Sequence, residues 1–420
     1  MDAVEFIRSL DLASFIQIFW YTVVFEIPRY TIGAIIVLLT RPWMRPKHQP
    51  EMALSLSVVL AGHNEAASLR ACVESLREQT LLHEGGGMEV IVVDDGSTDD
   101  MFEVAQALRR MGLVDEVLRV GHRGGKSAAI NLGLSACTGE IIMIVDVDTT
   151  FDRDACALLL DYFADPQVGA VSGNIGVRNL FSNLLTSQQG IEYAISISLG
   201  RSIQDALGML AVVSGAFGAY RRAALEQVGR QDVEVGEDAD LTMKLRRAGW
   251  LIRFAPEAHA QTSVPEGPAE LAAQRLRWDR AIITIWMRKF RSTLDPRISV
   301  LRLRDVAAFL DIVVFQILLA FLFPVYLIWL FHYLGILAGV IIAATLILYT
   351  GFNMLAFTAA HAAGAQVPFS LIAYVPLFTI VQVSFLRVVR IVAFVQELVF
   401  RSSYRDTYVP GRVMSQVDIV

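Results

Sequence analysis

Three apolar stretches, near 306–331, 334–360 and 367–400, close a chain whose middle shows only short apolar runs. A continuous apolar helix of about 20 residues can cross a bilayer. The first two stretches are long enough to do so. The third contains Pro376, Arg387 and Arg390, so a span, a hairpin or an interfacial helix are all open. At the other end, Leu12–Thr40 is apolar except around Glu26-Ile27-Pro28-Arg29. This segment starts acidic and lacks the basic start and small-residue cleavage site of a signal peptide, so a retained segment is expected. It is either one span broken at Pro28 or an interfacial helix followed by a span. Composition agrees: of 420 residues, 54% are hydrophobic and only 19% charged, against about 25% charged in ordinary soluble domains. A net charge of −6 argues against a nucleic-acid partner, whose binders carry a basic surplus. The three cysteines, Cys72, Cys137 and Cys156, have neither the number nor the spacing of a disulfide framework or a zinc site, and are expected as reduced thiols.

From about Arg41 to Arg304 short apolar runs (Leu56–Leu60, Val90–Val93, Ile141–Val145) alternate with amphipathic stretches such as Ala66–Gln79 and Ser127–Ala136. That alternation predicts an α/β domain with a mostly parallel sheet. The chain then divides into an N-terminal membrane segment and basic linker (1–48), the α/β domain (49–285), a basic interfacial linker (286–304), C-terminal transmembrane or interfacial helices (305–400) and a tail (401–420). Arg41, Arg45 and Lys47 follow the first apolar segment, and Arg288, Lys289, Arg291, Arg297, Arg302 and Arg304 precede the last ones. Basic residues beside spans stay cytoplasmic, which places the α/β domain in the cytosol.

Chemistry-bearing residues stand where these runs end. Ligands of α/β sheets bind beyond the carboxyl ends of strands. His63, Asn64 and Glu65 follow one such strand, and Asp94-Asp95-Gly96-Ser97-Thr98-Asp99 ends another. Asn64 and Glu65 could instead cap the next helix, and the aspartates could form an Asx turn. Gly124-Gly125-Lys126 opens a helix, which suits a phosphate, although the spacing of a Walker A loop is absent. Asp146-Val147-Asp148 leaves a buried strand with two carboxylates on one side. Hard oxygen ligands of this kind suit Mg²⁺ or Mn²⁺, which can stabilise a departing diphosphate. Gly236-Glu237-Asp238 precedes a helix read as Asp240–Ala248, so Asp238 is either an N-cap or a base for a hydroxyl nucleophile. In Gln274-Arg275-Leu276-Arg277-Trp278, helical spacing puts Gln274, Arg277 and Trp278 on one face, where an amide, a guanidinium and an indole suit a sugar diphosphate and a stacked sugar. An interfacial Trp with snorkelling Arg is the plainer alternative.

The order of these motifs resembles that of the processive family 2 glycosyltransferases: cellulose, chitin, hyaluronan and poly-N-acetylglucosamine synthases and chitin-oligosaccharide synthases. The resemblance covers about Leu54–Trp278 and rests on Asp94-Asp95, Asp146-Val147-Asp148, Glu237-Asp238 and Gln274-Arg275-Leu276-Arg277-Trp278. It implies a GT-A, Rossmann-like cytosolic domain between membrane helices of a multi-pass inner-membrane protein. It also implies an inverting enzyme that polymerises a β-linked glycan from UDP-N-acetylglucosamine or UDP-glucose, with accessory export or regulatory proteins as further partners. By the same resemblance Glu65 and Asp94 or Asp95 hold uridine, and Lys126 lies near the diphosphate. Asp148, with Asp146, binds the metal, and Asp238 beside Glu237 is the base. Gln274 and Arg277 contact the diphosphate, Trp278 is the acceptor platform, and Ser214-Gly215 belongs to the acceptor pocket. Two positions depart from the pattern: many relatives have Thr at Gly236 and a small residue at Asp279. Enzymes adding one sugar to a lipid share these motifs, whereas a non-catalytic transporter would have no need of Asp238.

Overall fold

The computed structural model describes residues 11–26, 32–33, 35, 37, 39, 54–83, 86–294, 303–405 and 409–414. The break expected at Pro28, the basic residues 41–47, Arg297, Arg302 and residues 415–420 lie outside them.

The first four strands, β1 (Leu56–Gly62), β2 (Met88–Asp94), β3 (Glu116–Arg119) and β4 (Ile141–Val145), lie side by side in parallel in the order β3-β2-β1-β4. Sheets covered on both faces need near-continuous Val/Ile/Leu strands, and β1 and β4 have them. Leu56, Val58 and Leu60 meet Leu69 and Val73 of the helix Ala66–Arg77 on one face. Val59 and Ala61 meet Ala129, Ile130 and Leu134 of the helix Lys126–Ala136 on the other.

Beyond β4 the sheet, whose pairings are mostly parallel as expected, also takes in antiparallel strands. The added strands are β5 (Thr150–Phe151), β6 (Val168–Val177), β7 (Phe217–Arg221) and β8 (Leu251–Thr262). They extend the sheet as β4-β7-β6-β8-β5, with β4·β7, β6·β7 and β5·β8 antiparallel and β6·β8 parallel. The sheet is therefore mixed. The Phe217 ring occupies the space at Gly173, where an added Cβ would lie 2.0 Å from it, and it meets Phe151 edge-on at 5.0 Å.

Register decides where the chemistry collects. Gly62 pairs with Asp94 and Leu60 with Val145, so the loops after β1, β2 and β4 open at one edge.

Two helical runs among the described residues, Leu303–Ala362 and Phe369–Phe400, are long and apolar enough to cross a membrane. At about 1.5 Å per residue the first, of 60 residues, far exceeds one bilayer, and it turns at Gly335, whose φ of +54° leaves the helical region. The helix Leu12–Ile18 sits beside Leu319–Leu334: Tyr326 donates to the Ile18 carbonyl at 2.9 Å and Tyr21 to the Leu319 carbonyl at 3.1 Å.

Candidate active site

At the β1–β2 edge, Asn64 adopts a left-handed φ of +61°. Its Oδ1 accepts from the Thr98 N–H at 2.8 Å, and its own N–H donates to Ser97 Oγ at 2.9 Å. His63 Nδ1 lies 3.0 Å from the Asp95 carbonyl. The helix Ala66–Arg77 is capped from the neighbouring loop, by Asp99 accepting from the Ala66 N–H at 3.0 Å. Glu65 stands at the N-cap position but its side chain makes no cap bond. Glu65 instead folds back over Gly62, where a Cβ would stand 2.5 Å from Glu65 Oε2. Burial, then the nearby Asp146 and Asp148 carboxylates, push Glu65 up to about 8, with Lys126 opposing.

The paired aspartates serve the loops. Asp94, with 0% exposure, accepts from the Ser97 N–H at 2.9 Å and pairs with Arg119 Nε at 3.0 Å. Asp95 takes the Gly124 and Gly125 N–H groups at 2.6 and 2.8 Å, which shapes the glycine loop entering Lys126. Gly125 has φ +90°, and a Cβ there would press on Pro410 Cδ at 3.3 Å, so the C-terminal segment lies against this loop.

Lys126 bridges two motifs, with Nζ 2.5 Å from Asp146 Oδ1 and 3.4 Å from Glu237 Oε1. Asp148 is held by Thr262, whose Oγ1 donates within 3.1 Å of both carboxylate oxygens, while Arg178 donates to the Asp148 carbonyl at 2.5 Å. Burial, then the Asp146 charge, raises the Asp148 pKa. A hard carboxylate whose ionisation its neighbour disfavours is a donor that a divalent cation beside it relieves. Among the described residues no cluster of three or more His, Cys, Asp or Glu could hold a metal, so such a cation would need diphosphate and water oxygens to complete its shell.

The helix expected from Asp240 begins at Glu237 instead, with Gly236 before it at φ +91°. Asp238 is thus inside the first turn, not the N-cap, and its Oδ1 accepts from the Ala239 N–H at 2.8 Å. The departure at Gly236 has a steric cause: an added Cβ would lie 2.6 Å from Ala281 Cβ. Gly236→Ala is expected to cost roughly 1–3 kcal/mol, the scale of a strained backbone site, read as a lower Tm of the purified protein. Burial, then Glu237, pushes Asp238 up to about 6, while Lys126, the Ala239 N–H and Arg201 favour its charged form. Arg201 is fixed by donating to Ser172 Oγ at 3.0 Å, which also accepts from the Ser214 N–H at 3.2 Å. A Cβ on Gly215 would stand 3.1 Å from Lys126 Nζ and 3.9 Å from Asp238 Oδ2. The Ser214-Gly215 loop therefore abuts both.

Gln274–Trp278 lies in the helix Pro268–Ile282. Arg275 is buried, donates to Gln274 Oε1 at 3.0 Å, pairs with Glu192 at 2.8 Å and lies 4.3 Å over the indole of Trp278. Trp278 is 41% exposed, and Arg277 is half-buried on the same helix. The structure thus brings Lys126, Asp146, Gly215, Glu237 and Asp238 together, with Glu65 and Asp148 alongside. Arg178 and Thr262 join them at Asp148 and Arg201 at Asp238, while Glu192 joins Arg275 on the Trp278 helix; none has a local motif that marks it in the sequence.

Residues 57–229 match the sequence profile of glycosyl transferase family 2. Over these residues the chain is similar to the family 2 glycosyl transferases. Poly-beta-1,6-N-acetyl-D-glucosamine synthase of Staphylococcus epidermidis is 31% identical over 257 residues, 60% of each chain. That of Staphylococcus aureus strain COL is 30% identical over 247 residues, 58% of each. The matched part thus spans about 60% of the length of these curated relatives. A mannosyltransferase of Pyrobaculum calidifontis, solved with GDP-Man and Mn²⁺, shares the fold at a TM-score of 0.58 and 18% identity, covering 91% of this chain and 99% of its own. The matched stretch ends at Gly229, so Asp238 and Trp278 lie beyond it.

Proposed function

We propose that the protein is an inverting, processive glycosyltransferase that polymerises a β-linked polysaccharide from a UDP-sugar, UDP-N-acetylglucosamine or UDP-glucose, on the cytosolic face of the inner membrane. The observation that carries this reading is the convergence of Asp146, Glu237, Asp238 and the Gly215 loop around Lys126. The names of the staphylococcal relatives support N-acetylglucosamine as the sugar.

In this reading Glu65, with His63 and the loops held by Asp94 and Asp95, receives the uridine, and Lys126 faces the diphosphate. Asp146 and Asp148 would hold Mg²⁺ or Mn²⁺, which supplies charge neutralisation for the leaving diphosphate. Asp238 accepts the proton of the acceptor hydroxyl, Arg201 and Lys126 keep it ionised, and Glu237 shares Lys126 with Asp146. Gln274 and Arg277 contact the diphosphate, while Ser214-Gly215 and Trp278 shape the acceptor side. Direct attack on an α-linked donor inverts the anomeric carbon, so each step yields a β-glycoside. A hydroxyl-rich chain cannot cross lipid unaided. The apolar helical runs carry Ile328, Ile336, Ile347 and Val399 exposed, as lipid-facing positions would be, and supply a route for export.

Full-length protein given Mn²⁺ and a panel of UDP-sugars should release UDP from one of them and form a ladder of long β-glycans. A single-sugar lipid product would overturn processivity. No release from any UDP-sugar would overturn the donor class.

A further inference from the structure

Asp279 follows the acceptor tryptophan directly, departs from the usual small residue, and is 5% exposed. A carboxylate buried to that degree needs a cation beside it. Its Oδ1 accepts from Arg390 Nε at 3.0 Å, and Arg390 lies on the helix Arg387–Phe400 at the end of the last apolar run. Asp279 also acts electrostatically on Arg275, four residues earlier on the same helix face. Arg275 in turn pairs with Glu192 and lies over the Trp278 ring. Glu192, Arg275, Asp279 and Arg390 therefore form a row of alternating charge across three helices, with the indole resting on its second member.

Farther along, Arg288 and Glu397 pair across the same two helical segments, and Glu397 also accepts from the Ser403 N–H at 2.8 Å and from Thr284 at 3.3 Å. That end anchors the last helix without Asp279. The Asp279–Arg390 pair is thus left with the part of the helix that carries Trp278.

We propose that Asp279 and Arg390 are positioning residues that set the orientation of Trp278, so that the C-terminal helix helps to determine acceptor binding. The acceptor part rests on the proposed function, since it takes Trp278 as the platform of the acceptor sugar. Seating Arg390 against Asp279 holds Arg275 against the indole. Glu192 and Gln274 hold Arg275 from its other side, so losing Asp279 or Arg390 removes one side of the brace and lets the ring turn.

The test uses full-length protein with D279N, R390Q and the double variant D279N/R390Q, whose two amides can still hydrogen-bond. Each is compared with a W278F counterpart, so that acrylamide quenching of Trp278 is read as a difference. Both single variants should raise Trp278 quenching, and the double variant should return it toward the wild-type value. With UDP-N-acetylglucosamine and a short β-linked oligosaccharide, the single variants should raise the acceptor KM roughly tenfold, the scale of a lost cation–π brace. They should shorten the product and leave the donor KM within about twofold, the signature of an acceptor-side change. Unchanged Trp278 quenching overturns the proposal, as does an equal loss on donor and acceptor sides together with a lowered Tm, which marks a merely structural pair. If the wild type transfers no sugar, the proposed function fails, and the quenching comparison still decides whether the pair orients the indole.

Discussion

Asp238→Asn should lower kcat by about 10²–10⁴-fold, the range lost with a general base, while leaving UDP-sugar binding nearly intact. The asparagine keeps the shape and can still accept from the Ala239 N–H, but it cannot take a proton. The pH profile carries the same claim. Asp238 is pushed up to about 6, first by burial and then by Glu237. Because the base works ionised, activity should be full above that value and fall as pH drops through it, well above the usual carboxylate range of about 4. Arg201→Gln removes a cation that favours the charged form, so the acid limb should move to higher pH. Turnover of D238N near the wild-type level would remove Asp238 from the chemistry. An R201Q profile with an unmoved acid limb would show that Arg201 does not act through it.

The second large effect concerns Asp148. Thr262 donates to both of its carboxylate oxygens, which fixes the carboxylate before any ligand arrives. Groups that orient metal ligands are typically worth 10–100-fold in metal affinity, so Thr262→Val should weaken Mn²⁺ binding by about that factor and Asp148→Asn by more. Mn²⁺ titration in the presence of UDP, followed by paramagnetic resonance, measures this without turnover. Equal Mn²⁺ affinity in wild type, T262V and D148N would take the cation away from this pair.

Much of this site was legible because strand chemistry is local. A run such as Ile141–Val145 buries its whole length, so the polar residues after it must lie at a strand end. The helices Ala66–Arg77 and Lys126–Ala136 formed close to where apolar periodicity put them. The start of the Asp238 helix was misplaced because Glu237 and Asp238 look like capping residues in sequence, whereas the cap position is taken by Gly236 in a left-handed conformation that local pattern does not reveal. The antiparallel pairings of β7 and β5 were missed because the direction of a strand is decided by where the chain returns to the sheet and not by its local pattern. Arg178, Arg201, Glu192 and Thr262 carry no motif and enter only through the folded chain.

By itself, the sequence determined the division between an α/β domain and apolar helices, the parallel half of the sheet, and the residue types that stand at its strand ends. These follow from hydrophobic periodicity and from the chemistry of single side chains, which act over a few neighbours. Only the tertiary structure decided that Asp94 and Asp95 hold loops, that Lys126 joins Asp146 to Glu237, and that Arg390 reaches Asp279. Those outcomes depend on burial and on ångström distances between residues 20 to more than 100 positions apart, which no local pattern encodes.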